Sequence, residues 1–386
     1  MPPETEAIAA KTIQVGAIQS ALASDPAELG ILPAFQRVRS KFDVHVFESL
    51  PSTNTKLWEM LAAGAPAGTV VIACRQTAGR GQRGRYWQSS PGGLYLSLAL
   101  EPHWPTSHIA QLTCISTWGI AIALQNLGLP VKIKWPNDLF YEGRKIGGIL
   151  TETKVSLLPA DVCSNAKRTS PSAYVTKAVI GVGLNWCNTV PKTAITLRDI
   201  CALLPDSAAK NKINCLEMLA ALVLKGILQG YLFHQQVGSQ DFMKVYSDLL
   251  TQLGEVVSLD SDLLDRAIAP DYSSDSASLS SSALSCAQQD SNWQRGIPPD
   301  RLCQLRKRSG EVIGISEEGY LKVALRDLPM TSENDSRKVS SRVLASGTLA
   351  SGSLHRSSAR ITDILLIKPA GAAPLSPSLR EAPARR

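Results

Sequence analysis

The chain has 386 residues, 44% hydrophobic and 19% charged, which is enough to bury a substantial core and reads as a soluble, globular protein of two domains with additional loop. The N-terminus carries acids and no apolar core, which excludes a signal peptide, and the longest apolar stretch, "CISTWGIAIALQNLGL", is broken by polar residues, against a membrane span. The net charge of +7 is confined to residues 301–386, with 15 Lys+Arg against 8 Asp+Glu, while residues 1–300 carry 25 of each. Those basic residues are spread among Ser and Ala without interleaved aromatics. They read as a solvated surface or disordered tail ahead of a nucleic-acid site, with the steering of an acidic protein partner as a third possibility. Eight cysteines without a C-x-x-C fit buried thiols in a reducing, cytoplasmic setting better than a disulfide framework or a zinc site.

Residues 1–40 form an N-terminal extension with little pattern beyond a short helical stretch. From Phe42 the chain is densely patterned. "KFDVHVFE" alternates as a strand, "STNTKLWEMLAAG" starts on cap-type residues and stops at Gly64 as a helix does, and "GTVVIACR" is a buried strand. "GLYLSLALEP" predicts another strand, and His108–Leu127 an apolar helix ended by Gly128. "VKIKW", "KIGGILTET" and "YVTKAVIGVGLNW" are further strands, with a surface insertion at 154–173 between the last two. Residues 212–252 predict one or two helices, closing a domain over 41–250. A small β domain over 251–370 is interrupted by low-complexity inserts at about 262–300 and 328–358, and 371–386 is a basic disordered tail.

"GRGQRGR", Gly79 to Arg85, matches G-x-G-x-x-G, but a dinucleotide site needs a helix opening at those glycines. The chain continues instead as "RYWQSSPGGLYLSLAL", a turn and a strand. The distinguishing feature is Arg75, Arg80, Arg83 and Arg85 on a glycine-rich backbone. Such a loop can close over a polyanion or carboxylate with guanidinium forks, and the competing reading is a solvated basic turn.

In "VKIKWPNDLFYEGRKIGGILTE", Val131, Ile133 and Trp135 share one strand face and Lys132 and Lys134 the other. Trp135 is held extended by Pro136, Asn137-Asp138 turn the chain, and Glu142-Gly143 return Lys145 to the same end. Lys134, Asp138 and Lys145 can thus converge on a nucleotide triphosphate with magnesium, or form a salt-bridged hairpin.

"GRGQRGR", "KWPNDL" and "GRKIGGIL", preceded by "STN" and followed by "GVGLN", together resemble the biotin–protein ligases, over roughly Phe42 to Asn188. The resemblance implies an α/β (α+β) mixed-sheet catalytic domain like that of class II aminoacyl-tRNA synthetases, followed by a small SH3-like β barrel. It implies two half-reactions: ATP activates biotin to biotinyl-5′-AMP, and a lysine of the biotin carboxyl carrier protein of acetyl-CoA carboxylase takes the biotinyl group.

Carried over by residue, the resemblance puts Ser52, Thr53, Asn54, Gln76, Gly79, Arg80, Lys145, Gly181 and Gly183 at biotin. It puts Arg83, Arg85, Trp87, Lys134, Asn137 and Asn185 at ATP or the adenylate. Arg80 holds the intermediate, Lys145 meets the carboxylate and then the phosphate, Lys134 neutralises phosphates, and Asp138 holds Mg2+ or positions the nucleophile. Arg356 is the candidate for a nucleotide contact from the C-terminal domain.

Gln82 stands where many members have an arginine, which removes one charge from the closing loop. The short N-terminal extension leads us to expect a monofunctional ligase without specific DNA binding, and a homodimer is left open. The competing readings are a lipoate or octanoate ligase or transferase of the same superfamily, and a basic nucleic-acid-binding protein.

Overall fold

The structure, a computed structural model, describes residues 13–158, 172–204, 206–258, 267–268, 309–326 and 361–367. These fall into two compact units, the first centred on residues up to Leu253 and the second drawn from Gly254–Ile313 and Lys322–Ile367.

The first unit holds β1 (Asp43–Leu50), β2 (Thr69–Gln76), β3 (Leu94–Leu100), β4 (Trp104–Pro105), β5 (Lys132–Lys134), β6 (Asp138–Tyr141), β7 (Arg144–Leu158) and β8 (Ser172–Leu184). Its helices are α1 (Val15–Ala23), α2 (Thr53–Ala62), α3 (Ile109–Asn126), α4 (Leu197–Leu203), α5 (Ala209–Lys212) and α6 (Leu216–Ser247). The strands make one mixed sheet in the order β1-β2-β3-β8-β7-β6-β5, with β4 also paired to β8. β1 and β2 are parallel, joined through α2, and the remaining pairs are antiparallel. An α/β domain with a mixed sheet is therefore what the alternating strands and the three helical patterns produce.

The two faces of the sheet derive from strand alternation. Thr151 faces α3, where its hydroxyl lies 2.8 Å from that of Thr113, and the next residue, Glu152, accepts a hydrogen bond from Asn54 of α2. Successive strand residues point to opposite faces, so α2 and α3 cover opposite sides. Under α2, Leu57, Leu61, Val71, Ala99 and Val179 form a buried cluster flanked by Phe47, Leu50, Trp58 and Met60.

α3 is apolar around most of its circumference, and fifteen of its eighteen residues are buried. α3 and α6 both have the length and hydropathy of a membrane span, yet most of α3 is enclosed in the core. The two helices meet at glycines: a Cβ on Gly119 would run into the Gly226 carbonyl. The one or two helices expected over 212–252 are two helical stretches within α6, separated by non-helical backbone at Gly238 (φ 80°, ψ 168°).

Three sequence expectations change. Residues 13–40 are not a patternless extension: Ile13, Ile18, Leu29 and Ile31 are buried, and the Leu32 N–H donates to Gln229 Oε1 of α6 at 3.0 Å. The insertion expected at 154–173 is narrower, since Lys154–Leu158 and Ser172–Lys177 are paired strand. Asp138 is the first residue of β6 rather than part of the turn, and the Trp135–Pro136 peptide before it is cis. Glu142 and Gly143 make the expected hairpin turn with φ of 44° and 75°.

The second unit contains β9 (Val256–Ser258), β10 (Ala267–Ile268), β11 (Ser309–Ile315), β12 (Leu321–Arg326) and β13 (Ile361–Ile367), in the sheet order β10-β13-β12-β11-β9. Val312, Val323, Leu325 and Ile367 are buried in it. The inserts expected at 262–300 and 328–358 lie almost wholly outside the described residues, as do the tail at 371–386 and Arg356.

Candidate active site

The glycine–arginine stretch is an antiparallel excursion between β2 and β3. The Gln76 N–H donates to Ser89 O at 3.1 Å, the Trp87 N–H to Gly79 O at 3.0 Å, and the Gly81 N–H to Arg85 O at 2.8 Å. Its tip, Gln82–Gly84, is a single 3-10 turn with Arg83 in the left-handed region (φ 59°, ψ 34°). No helix opens at the glycines and β2 pairs antiparallel with β3, so the local geometry is not that of a dinucleotide loop. The excursion, with Leu150 and Glu152, lines a cleft of about 380 Å³ that includes Arg80, Arg83 and Arg85.

Below it, a polar network is built around the start of α2. The Thr53 N–H donates to Gln76 Oε1 at 2.8 Å, and Gln76 Nε2 donates to Ser89 Oγ at 2.8 Å. Ser97, fully buried, donates its hydroxyl to Asn54 Oδ1 at 2.6 Å and lies 2.8 Å from Thr53 Oγ1. Asn54 Nδ2 donates to Glu152 Oε2 at 2.9 Å. A Cβ on Gly181 would collide with the Asn54 amide. Ser52, Thr53, Asn54, Gln76, Gly79 and Gly181 are thus gathered on one face of the sheet, with Ser97 and Glu152 as members that sequence reasoning missed. Ser97 gives no signal inside an apolar strand, whereas Glu152 is readable as a carboxylate in "GILTET" beside the named blocks.

The second cluster lies at the β6–β7 hairpin. Lys145 Nζ is 2.6 Å from Asp138 Oδ2, both side chains about one quarter to one third exposed, and 5.3 Å from the centre of the Trp87 ring. A Cβ on Gly183 would run into the Trp87 indole, which requires glycine there. Trp87 Nε1 is buried with no hydrogen-bond partner among the described residues, an unusual state for an indole donor. The Asn185 N–H donates to Ile146 O at 2.9 Å, its side chain is buried, and its Oδ1 accepts from Asn188 Nδ2 at 3.1 Å.

Other residues stand differently. Asn137 Nδ2 donates to Ile149 O at 2.8 Å, so this amide fastens the turn to β7. Lys134 pairs opposite Asp138 in the backbone register, with Nζ 5.6 Å from the Phe140 ring centre. Tyr95, also unforeseen, donates its hydroxyl to Ser90 O at 2.6 Å, and burial pushes its phenol pKa up, which keeps it protonated as a donor. Among the described cysteines, burial raises Cys114 to about 12, as expected of a structural thiol, but Cys187 is exposed, against the expectation for the set.

The donor set does not fit a protein-held metal. Among the described residues no group of three His, Cys, Asp or Glu side chains could hold one, and Asp138 is already paired with Lys145. A hard divalent cation here would need most of its oxygen ligands from phosphate and water.

A mixed α/β sheet that sets a glycine–arginine loop beside a lysine–carboxylate hairpin and a half-buried indole defines a class of domain with a cationic cleft suited to a small anionic ligand. Residues 46–168 of this chain match the model of the biotin/lipoate A/B protein ligase family. The bifunctional ligase/repressor BirA of Bacillus subtilis (strain 168) is 32% identical over 163 residues, 42% of this chain and 46% of that protein. The biotin–[acetyl-CoA-carboxylase] ligase of Paracoccus denitrificans is 37% identical over 108 residues, 27% of this chain and 45% of that protein. The chain thus matches about half the length of these curated relatives. Among solved structures, the Aquifex aeolicus biotin protein ligase in complex with biotin and ATP is 20% identical, with a TM-score of 0.44, covering 73% of this chain and 91% of that one.

Proposed function

We propose that the protein is an ATP-dependent biotin–protein ligase that forms biotinyl-5′-AMP and passes biotin to a lysine of a carrier domain. The observation that carries this reading is the meeting of three separate stretches at Trp87: Lys145 lies 5.3 Å from its ring, and Gly183 makes room for its indole. The name of the Paracoccus denitrificans relative, a biotin–[acetyl-CoA-carboxylase] ligase, favours biotin over lipoate or octanoate.

In the first half-reaction a biotin carboxylate oxygen bonds to the α-phosphorus of ATP and the bond to pyrophosphate breaks. Lys145 is placed to neutralise the carboxylate and then the phosphoryl oxygens, with Asp138 holding its ammonium in position. The polar network of Thr53, Asn54, Gln76 and Ser97 offers paired donors and acceptors for a ureido ring. Lys134, Arg83 and Arg85 supply positive charge for phosphates, and the unpaired Trp87 indole N–H offers a donor beside them. In the second half-reaction a neutral carrier amine attacks the acyl carbon, AMP leaves with the bonding electrons, and the amine loses a proton. Magnesium would enter with the ATP phosphates.

The second unit's five strands support, at the level of strand content, a small SH3-like barrel. The free thiols, among them buried Cys114 and Cys201, support a cytoplasmic location. The packing of residues 13–40 onto α6 supports a role for that segment in the catalytic unit rather than in DNA binding.

The test is to incubate the protein with ATP, magnesium, labelled biotin and a carrier domain. Biotin-dependent pyrophosphate release with label on a carrier lysine is expected. Transfer supported by lipoate or octanoate and not by biotin would overturn the reading.

A further inference from the structure

We propose that Glu152 is a positioning residue that latches the glycine–arginine loop closed over the adenylate, through a two-point ion pair with Arg80. The inference rests on the ligase reading for what the latch retains, but the latch itself is a property of the fold.

Glu152 lies in β7, on the sheet face covered by α2, with its side chain only 14% exposed. A carboxylate so enclosed is costly unless its lone pairs are filled, and here both oxygens are engaged. Oε1 lies 2.9 Å from one terminal nitrogen of Arg80, and Oε2 accepts from the other at 2.9 Å. Oε2 also accepts from Asn54 Nδ2 at 2.9 Å and from the Trp58 indole N–H at 3.3 Å. The two fixed donors belong to α2 and are part of the domain core. The third partner, Arg80, is on the loop and 43% exposed.

That asymmetry defines a latch. Asn54 and Trp58 hold the carboxylate in place whether or not the loop is seated, so its position is set before Arg80 arrives. The guanidinium fork then docks in parallel on both oxygens, a geometry that lysine cannot reproduce. The fork ties the loop to the sheet at the edge of the cleft formed by the loop itself. Glu152 also orients the Asn54 amide, with Nδ2 towards itself and Oδ1 towards Ser97, so it links loop closure to the polar network at the start of α2. A seated loop excludes water from a mixed anhydride, which otherwise hydrolyses or diffuses away.

The experiment compares wild type, Glu152→Gln and Arg80→Gln by two readouts. The first is the ratio of pyrophosphate released to biotin transferred, with a carrier domain in excess. In Glu152→Gln, which keeps the side chain's size and one acceptor, we expect this ratio to rise about fivefold or more as adenylate escapes. The double variant is expected to leak no more than the worse single variant, because both remove one interaction. The second readout is limited trypsin cleavage after Arg83 and Arg85 without ligands, expected to quicken in Glu152→Gln while the global unfolding midpoint stays close to wild type.

A general packing defect would lower both half-reactions in parallel, leaving the ratio unchanged, and would overturn the proposal. So would unchanged cleavage of the loop. Failure of the wild type to release pyrophosphate with biotin would instead overturn the ligase reading, and the cleavage comparison would still decide whether Glu152 holds the loop.

Discussion

Lys145 and Asp138 stand across the β6–β7 hairpin with their charged ends 2.6 Å apart, and the lysine ammonium also lies 5.3 Å from the centre of the Trp87 ring. The pair places a cation held by an anion at the point where the hairpin meets the loop before β3. On the ligase reading proposed above, a lysine so restrained would meet a developing phosphoryl charge without reorganising. Replacing Lys145 with Ala is therefore expected to reduce adenylate formation by about 10²–10³-fold, the usual loss for one electrostatic stabiliser. Single-turnover pyrophosphate release measures this, and a normal rate in the variant would remove Lys145 from the reaction.

Gly183 is expected to tolerate no side chain. Alanine there would push against the Trp87 indole, and such overpacking costs about 1–3 kcal/mol when neighbours must shift. In Gly183→Ala we expect altered tryptophan emission and weakened nucleotide binding, with far-UV dichroism unchanged. Emission and ATP affinity matching the wild type would show that Trp87 is placed differently.

Ser97 is a fully buried hydroxyl between Thr53 and Asn54. Ser97→Ala leaves buried polar partners incompletely satisfied, at a cost of about 1–3 kcal/mol. A lowered unfolding midpoint is expected, accompanied by a raised KM for biotin and an ATP KM changed much less. A stability loss that moves both KM values equally would argue for a purely structural serine.

His234 sets a pH dependence. Burial, and then the nearby charge of His108, lower its pKa below the ordinary histidine value of 6.5, so the native state favours the neutral ring. The unfolded chain binds the proton more readily. This contribution is therefore fully present above the unfolded pKa and is lost as pH falls from there through the folded pKa. Urea unfolding at pH 8 and pH 5 is expected to show a smaller difference in His234→Gln than in wild type. An identical difference in both proteins would exclude His234 as its source.

Much of the fold is legible in local patterns. The strand alternation of "KFDVHVFE", the stop of α3 before Gly128 and the Glu142-Gly143 turn are all written in neighbouring residues, because they depend on backbone preference and side-chain period. The absence of a helix after Gly84 is legible for the same reason. The burial of Ile13, Ile18, Leu29 and Ile31 is not, because this segment packs towards α6, with Leu32 bonded to Gln229 about 200 positions away.

Neighbouring residues alone thus indicate the longer strands and helices and the mixed α/β character, though not β4, α4 or α5, while the candidate side chains follow from the resemblance of their motifs. Which of those side chains meet is settled by packing between distant elements: Arg80 docks on Glu152, Asn137 fastens a turn through its amide, and Trp87 rests on Gly183 below Lys145. The physical reason is range. Strand period, turn chemistry and helix stops act between near neighbours, whereas an ion pair or a close backbone approach joins residues whose separation along the chain carries no trace of their distance in space.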